Sequence, residues 1–109
     1  MTEIYQLLAQ LGIVSKYRGY QMLAFAIQLF LTNPNGPPSL KSLYIDLSML
    51  VKRSPSAIER DLRTVIAVAW QHNQLFLSYI SPFPLTHAPS VMLFIEILST
   101  YLLRQKSNK

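Results

Sequence analysis

The sequence predicts an all-α fold of about six helices that includes a helix-turn-helix. Three observations carry this expectation. Apolar residues recur at spacings of three and four along several stretches, the period of one face of a helix. Ser, Pro and Gly punctuate those stretches where helices start and stop. No stretch alternates apolar and polar residues long enough to read as a strand. The 109 residues fit one domain spanning 1–109, and with half of them hydrophobic they can bury a real core.

Thr2 to Leu11 reads as a short helix, with Thr2 as cap, Ile4, Leu7, Leu8 and Leu11 on one face, and Gly12 marking the end. Lys16 to Leu31 is apolar over most of its circumference, so a helix there runs through the middle of the fold. Asn33 to Pro38 contains three prolines and a glycine and is expected to be a loop. Ser39 caps the next segment, with Leu40, Leu43 and Tyr44 inward. Asp46 to Lys52 is expected as a further short helix carrying Leu47, Leu50 and Val51. Arg53 and Ser54 form a tight connection.

The stretch SPSAIERDLRTVIAVAW, Ser54 to Trp70, is the most informative. Ser54 suits an N-cap and Pro55 the first helical position, where its missing N–H is no loss. Ser56 with Glu59 offers a capping box two residues later. Ile58, Leu62, Val65, Ile66 and Ala69 form one apolar stripe, and Ser56, Arg60, Arg63, Thr64, Ala67 and Gln71 fall on the other side. A helix held by its back that offers two arginines among small polar residues suits a DNA major groove. Together with the preceding short helix it makes a helix-turn-helix at about 46–71. Beyond it, Leu75 to Ile80 fits a helical turn or an extended piece. Ser81 to Pro89 is irregular, and Ser90 caps a last helix at about 90–103, followed by a polar tail from Arg104 that is expected to fray.

Ten basic residues oppose five acidic ones, giving a net charge of +5. This favours a polyanionic partner, nucleic acid first and an anionic membrane surface second. The absence of cysteine excludes disulfides, thiolate zinc sites and cysteine nucleophiles and is compatible with the cytoplasm. Met1-Thr2-Glu3 does not open a signal peptide. Val91 to Leu103 is too short, and too interrupted by Glu96, Ser99 and Thr100, to span a bilayer. His72 and His87 are isolated, and no phosphate loop, zinc-protease motif or nucleophile elbow occurs, so neither a metal nor a cofactor nor an enzyme is expected.

Four stretches carry a resemblance: LGIVSKYRGYQMLAFAI from Leu11, SLKSLYIDLS from Ser39, SAIERDLRTVIAVAW from Ser56, and Pro89-Ser90 with Phe94-Ile95. In combination they resemble the C-terminal effector domain of the sporulation master response regulator (stage zero sporulation protein A). The resemblance implies a six-helix DNA-binding domain that reads a short box of the TGTCGAA type and regulates transcription, often with two domains head-to-tail. It implies base reading by Glu59 and Arg60 and a further DNA contact by Arg63. The chemistry agrees, since an arginine donates bidentately to guanine and a glutamate accepts from cytosine N4. Lys52 and Arg53 are expected at phosphate. Lys16 and Arg18 are weaker candidates for the same role. The DNA-binding set is therefore Lys52, Arg53, Ser54, Ser56, Ala57, Glu59, Arg60, Arg63 and Thr64.

The chain departs from the family pattern at several positions. Ala57 stands where an arginine usually reads a guanine, Thr64 stands for a histidine, and Asp61 stands for a small apolar residue and adds a negative charge beside the basic face. Val14, Lys16 and Ala24 stand for a proline, a histidine and an arginine. Loss of one bidentate arginine costs roughly 1–3 kcal/mol of discrimination at one base. Family members carry an N-terminal receiver domain. Met1 directly precedes the first effector helix here, which leads to the expectation of a natural stand-alone protein or an excised domain.

Each of these residues also has a plainer reading. Arg60 and Arg63 can be solvated surface charges, and Glu59 can merely cap the helix through Ser56. Trp70 is expected in the core rather than as a stacking platform. Phe76, Tyr79, Ile80, Phe83 and the last helix either complete the core or leave an interface for a homodimer, a sigma factor or a related regulator. The leading expectation is a cytoplasmic, sequence-specific regulator that binds double-stranded DNA. Its rival is a protein-interaction module that keeps the fold without reading DNA.

Overall fold

A computed structural model describes residues 1–33, 35 and 39–107. Six helices follow one another: α1 (Thr2–Gln10), α2 (Gly19–Thr32), α3 (Leu40–Val51), α4 (Pro55–His72), α5 (Gln74–Ile80) and α6 (Val91–Ser107), with no strand among the described residues. The all-α expectation and the number of helices hold. The expected loop at Asn33 to Pro38 falls mostly outside the described residues.

The stripes read from spacing meet in one core. Ile4, Leu7 and Leu8 of α1, Met22, Leu23, Ala24, Ala26 and Ile27 of α2, Leu43 and Leu47 of α3 and the back of α4 are buried together with Phe94, Ile95, Ile97 and Leu98 of α6. Helix α2 is the axis, packing on α6, α4, α3 and α1. Gly19 makes the α2–α4 crossing close. A Cβ there would stand 2.5 Å from the Asp61 carbonyl oxygen and 3.0 Å from Val65. Half-buried Trp70 packs against this core.

Several boundaries differ from the expectation. Thr2 is the first helical residue rather than a cap. Past Gln10, Leu11 closes α1 and Gly12 takes φ 78°. Its N–H donates to the Ala9 carbonyl and that of Ile13 to the Leu8 carbonyl, the Schellman closure that a left-handed glycine permits. Lys16 to Arg18 are not helical, because consecutive turns bonded from Tyr17 to Val14 and from Tyr20 to Tyr17 swing the chain into α2. Ser39 does cap α3, its Oγ accepting from the Ser42 N–H at 3.1 Å. The two segments expected after it are one continuous helix, since nothing between Tyr44 and Asp46 breaks it. Its inward face centres on Leu43, Tyr44 and Leu47, flanked by half-buried Leu40 and Val51, which leaves Leu50 on the margin, 53% exposed.

The ambiguous stretch after α4 is helical. Asn73 sits between α4 and α5 with its side-chain oxygen accepting from Phe76 N–H and its Nδ2 donating to the Gln10 carbonyl of α1 at 3.2 Å. Helix α6 starts as expected, Ser90 Oγ accepting from Leu93 N–H. It continues past Leu103 to Ser107, so Arg104 to Ser107 do not form the frayed tail that was expected; Asn108 and Lys109 lie outside the described residues. Arg104 Nη2 donates to the Ile80 carbonyl at 2.8 Å, which fastens that extra turn to the end of α5. Most of the apolar surface of α6 completes the core. The most exposed large apolar residues lie on α5, where Leu75 is 86% and Tyr79 80% exposed, and on α3, where Met49 is 76% exposed. Among the described residues no helix is long and apolar enough to cross a membrane.

Candidate DNA-recognition surface

Helices α3 and α4 meet through a connection of three residues, Lys52 to Ser54. Lys52 ends α3 in the left-handed region at φ 57°, ψ 46°. Arg53 follows, its carbonyl accepting from Ser48 Oγ–H at 2.6 Å. Ser54 is extended, and its Oγ accepts from the Ala57 N–H at 3.2 Å with Pro55 in the first turn. The serine before the proline is therefore the cap. Glu59 is free of the alternative capping box and pairs with Arg63 one turn on, Oε1 to Nη2 at 3.0 Å.

The back of α4 (Ile58, Leu62, Val65, Ile66, Ala69) is buried, and Ser56, Arg60, Arg63, Thr64, Ala67 and Gln71 are exposed, each on the side its spacing assigned. Of the expected DNA-binding set, Lys52, Ser54, Ser56, Arg60, Arg63 and Thr64 are exposed and Arg53, Ala57 and Glu59 half-buried. Thr64 Oγ1 donates to the Arg60 carbonyl at 3.0 Å. Lys16 and Arg18, distant in sequence, line a cleft with Arg60 and Thr64, and Lys16 Nζ stands 5.3 Å from the Tyr17 ring centroid.

Asp61 is the residue that sequence reasoning misjudged. It was expected as a charge beside the basic face, and it is 7% exposed beneath that face. Its Oδ1 lies 3.5 Å from Arg60 Nε and its Oδ2 3.5 Å from Arg53 Nη2. Its position, three after Ile58 and four before Val65, held the clue, because that spacing puts it on the inner margin of α4. Tyr44, correctly expected inward, carries its hydroxyl under the same helix, buried and with no hydrogen-bond partner. Burial pushes this phenol above its usual 10.0, Glu59 adds to the rise and Arg63 opposes it.

His72 lies apart from this surface and packs on Gly12, where an added Cβ would stand 2.5 Å from His72 Cγ. His87 lines a cleft beside Arg63 and Ala67, and its Nδ1 meets Thr86 Oγ1 at 3.1 Å. Among the described residues no three His, Cys, Asp or Glu side chains gather as a metal site.

A protein-family model described as "Sporulation initiation factor Spo0A C terminal" matches residues 4–101. No curated protein and no solved structure matches the chain.

Proposed function

The chain belongs to the sporulation initiation factor Spo0A C-terminal family, and we propose that it binds double-stranded DNA sequence-selectively, as a transcriptional regulator with α4 in the major groove. The family is one of DNA-binding regulatory effector domains and not an enzyme family. The observation that carries the finer reading is the outer face of α4. It is open from Ser56 to Gln71, while the back of the helix is anchored in the core. A helix so held can enter a groove as a rigid edge.

On this reading Arg60 donates to a guanine edge, Glu59 accepts from cytosine N4, and Arg63 and Thr64 complete the contact. Lys52, Arg53 and Ser54 meet phosphate at the turn, joined by the backbone N–H of Ser56 at the helix start, while that of Ala57 stays with the Ser54 cap. The Glu59–Arg63 pair must open for this. Exposed pairs of this kind contribute only about 0.2–1 kcal/mol, so DNA can displace it. The working unit is one domain whose helix-turn-helix is made of α3, the turn Lys52 to Ser54 and α4. It acts in the cytoplasm without a cofactor.

Fluorescence anisotropy tests the reading, with duplexes carrying a TGTCGAA-type box, scrambled duplexes and two salt concentrations. Tighter binding to the box is expected, with both affinities falling as salt rises. Arg60→Ala should lose about tenfold or more on the selected site and relax preference at one base. Lys52→Ala should weaken all duplexes alike and reduce the salt slope by about one. Isotherms unmoved by both substitutions would refute the assignment of α4.

Helix α5 favours a second reading. Leu75 and Tyr79, one turn apart, offer an apolar pair for a second copy of the chain, a sigma factor or a related regulator. Co-purification with such a partner and no shift of any duplex would make the chain an interaction module instead.

A further inference from the structure

Asp61 joins two parts of the helix-turn-helix that have different tasks. Arg53 belongs to the turn and Arg60 to the exposed face of α4, and the one buried carboxylate lies 3.5 Å from each. Its main chain is fixed from behind, since its carbonyl occupies the space that Gly19 leaves open for α2. Arg53 Nε and Asp61 Oδ2 are buried without a hydrogen bond, so charge rather than hydrogen-bond geometry holds this group together.

The mode of attachment matters for Arg60. A guanidinium presents its donors in a rigid planar fork. The carboxylate approaches Arg60 at Nε, which leaves both terminal nitrogens for the two acceptors of a guanine edge. A side chain held in this way loses less conformational freedom on contact than one that samples every rotamer. The same carboxylate cancels one positive charge of the surface and so weakens the pull of Arg53 on phosphate.

We propose that Asp61 is a positioning residue for base recognition. It holds Arg60 by its Nε edge and ties it to the turn through Arg53, raising selectivity while lowering attraction to arbitrary DNA. This rests on the reading of α4 as the DNA-contacting helix.

The test uses the full chain, wild type and Asp61→Asn, with the best duplex that the wild type selects from a random library and with a scrambled duplex. Asp61→Asn should bind the scrambled duplex more tightly, steepen the salt slope by about one, and lower the ratio of selected to scrambled affinity about tenfold. In an Arg60→Lys background, which keeps the charge without the fork, Asp61→Asn should leave that ratio alone. A loss shared equally by both duplexes, or an unchanged ratio, overturns the proposal. NMR order parameters of the Nε–H vectors of Arg60 and Arg63 in the free protein decide the point without DNA. The Arg60 value should fall in Asp61→Asn while that of Arg63, paired with Glu59, stays the same, and an unchanged Arg60 value overturns the proposal. A wild type that selects no duplex defeats the DNA reading, and the order parameters still decide whether Asp61 holds Arg60.

Discussion

Tyr44 shows what a single buried oxygen does to this fold. Its hydroxyl lies under α4 without a partner, and burial, reinforced by Glu59 and opposed by Arg63, holds its proton more tightly than in the unfolded chain. The sign follows from linkage. Below pH 10 both states keep the proton and stability is unaffected. As pH rises past 10, the unfolded phenol ionises first and stability falls until the folded phenol ionises as well. Denaturant unfolding at pH 8 and at pH 11 should show this loss, and Tyr44→Phe should remove the part of it due to Tyr44. At pH 8 the substitution should be neutral or stabilising by up to about 1 kcal/mol, because it deletes an unpaired buried O–H. A loss of several kcal/mol would show that the hydroxyl is bonded in solution. Tyr44 and the arginine face of α4 were legible because spacing alone assigns them a side. Asp61 was misjudged because its charge argued for solvent while its place in the period argued for the core, and the neighbouring arginines let the period win.

The register of α4 was readable in the element itself, since Ser54, Pro55 and an unbroken stripe agree with one another. The start of α2 was not. Lys16, Tyr17 and Arg18 have ordinary helical propensity, and what removes them from the helix is the tertiary need to bring Gly19 onto α4. Likewise, nothing local interrupts α3, so dividing it at Asp46 had no physical basis. The α2–α4 crossing yields its own prediction. In Gly19→Ala the new methyl meets a main-chain oxygen at 2.5 Å, which cannot yield as a side-chain tip would. The helices must part, costing about 1–3 kcal/mol. The denaturation midpoint should fall by that amount at an unchanged m-value. An unaltered midpoint would mean that the two helices stand further apart in solution.

At the scale of the molecule, the sequence made the central place of α2 visible through its nearly all-round apolar surface. It did not show which exposed residues would be left over, because that depends on how well the other helices cover one another. Most of helix α6 proved to be core, while Leu75 and Tyr79 of α5 and Met49 of α3 are left uncovered. Ties across long sequence distances were also beyond its reach. The side chain of Asn73 bonds the end of α1 across 63 positions. A bond that spans most of the chain also orders events in time. Its long loop is expected to close only after α2 to α4 have assembled, so this tie between α1 and Asn73 should form late, on the native side of the folding barrier. Asn73→Asp keeps the acceptor for Phe76 and deletes the donor to Gln10. In stopped-flow measurements it should leave refolding unchanged and speed unfolding roughly fivefold, the kinetic mark of about 1 kcal/mol gained on the native side of the barrier. Slower refolding would instead place the docking of α1 in the nucleus, and the first segment of the chain would then be among the first to find its place.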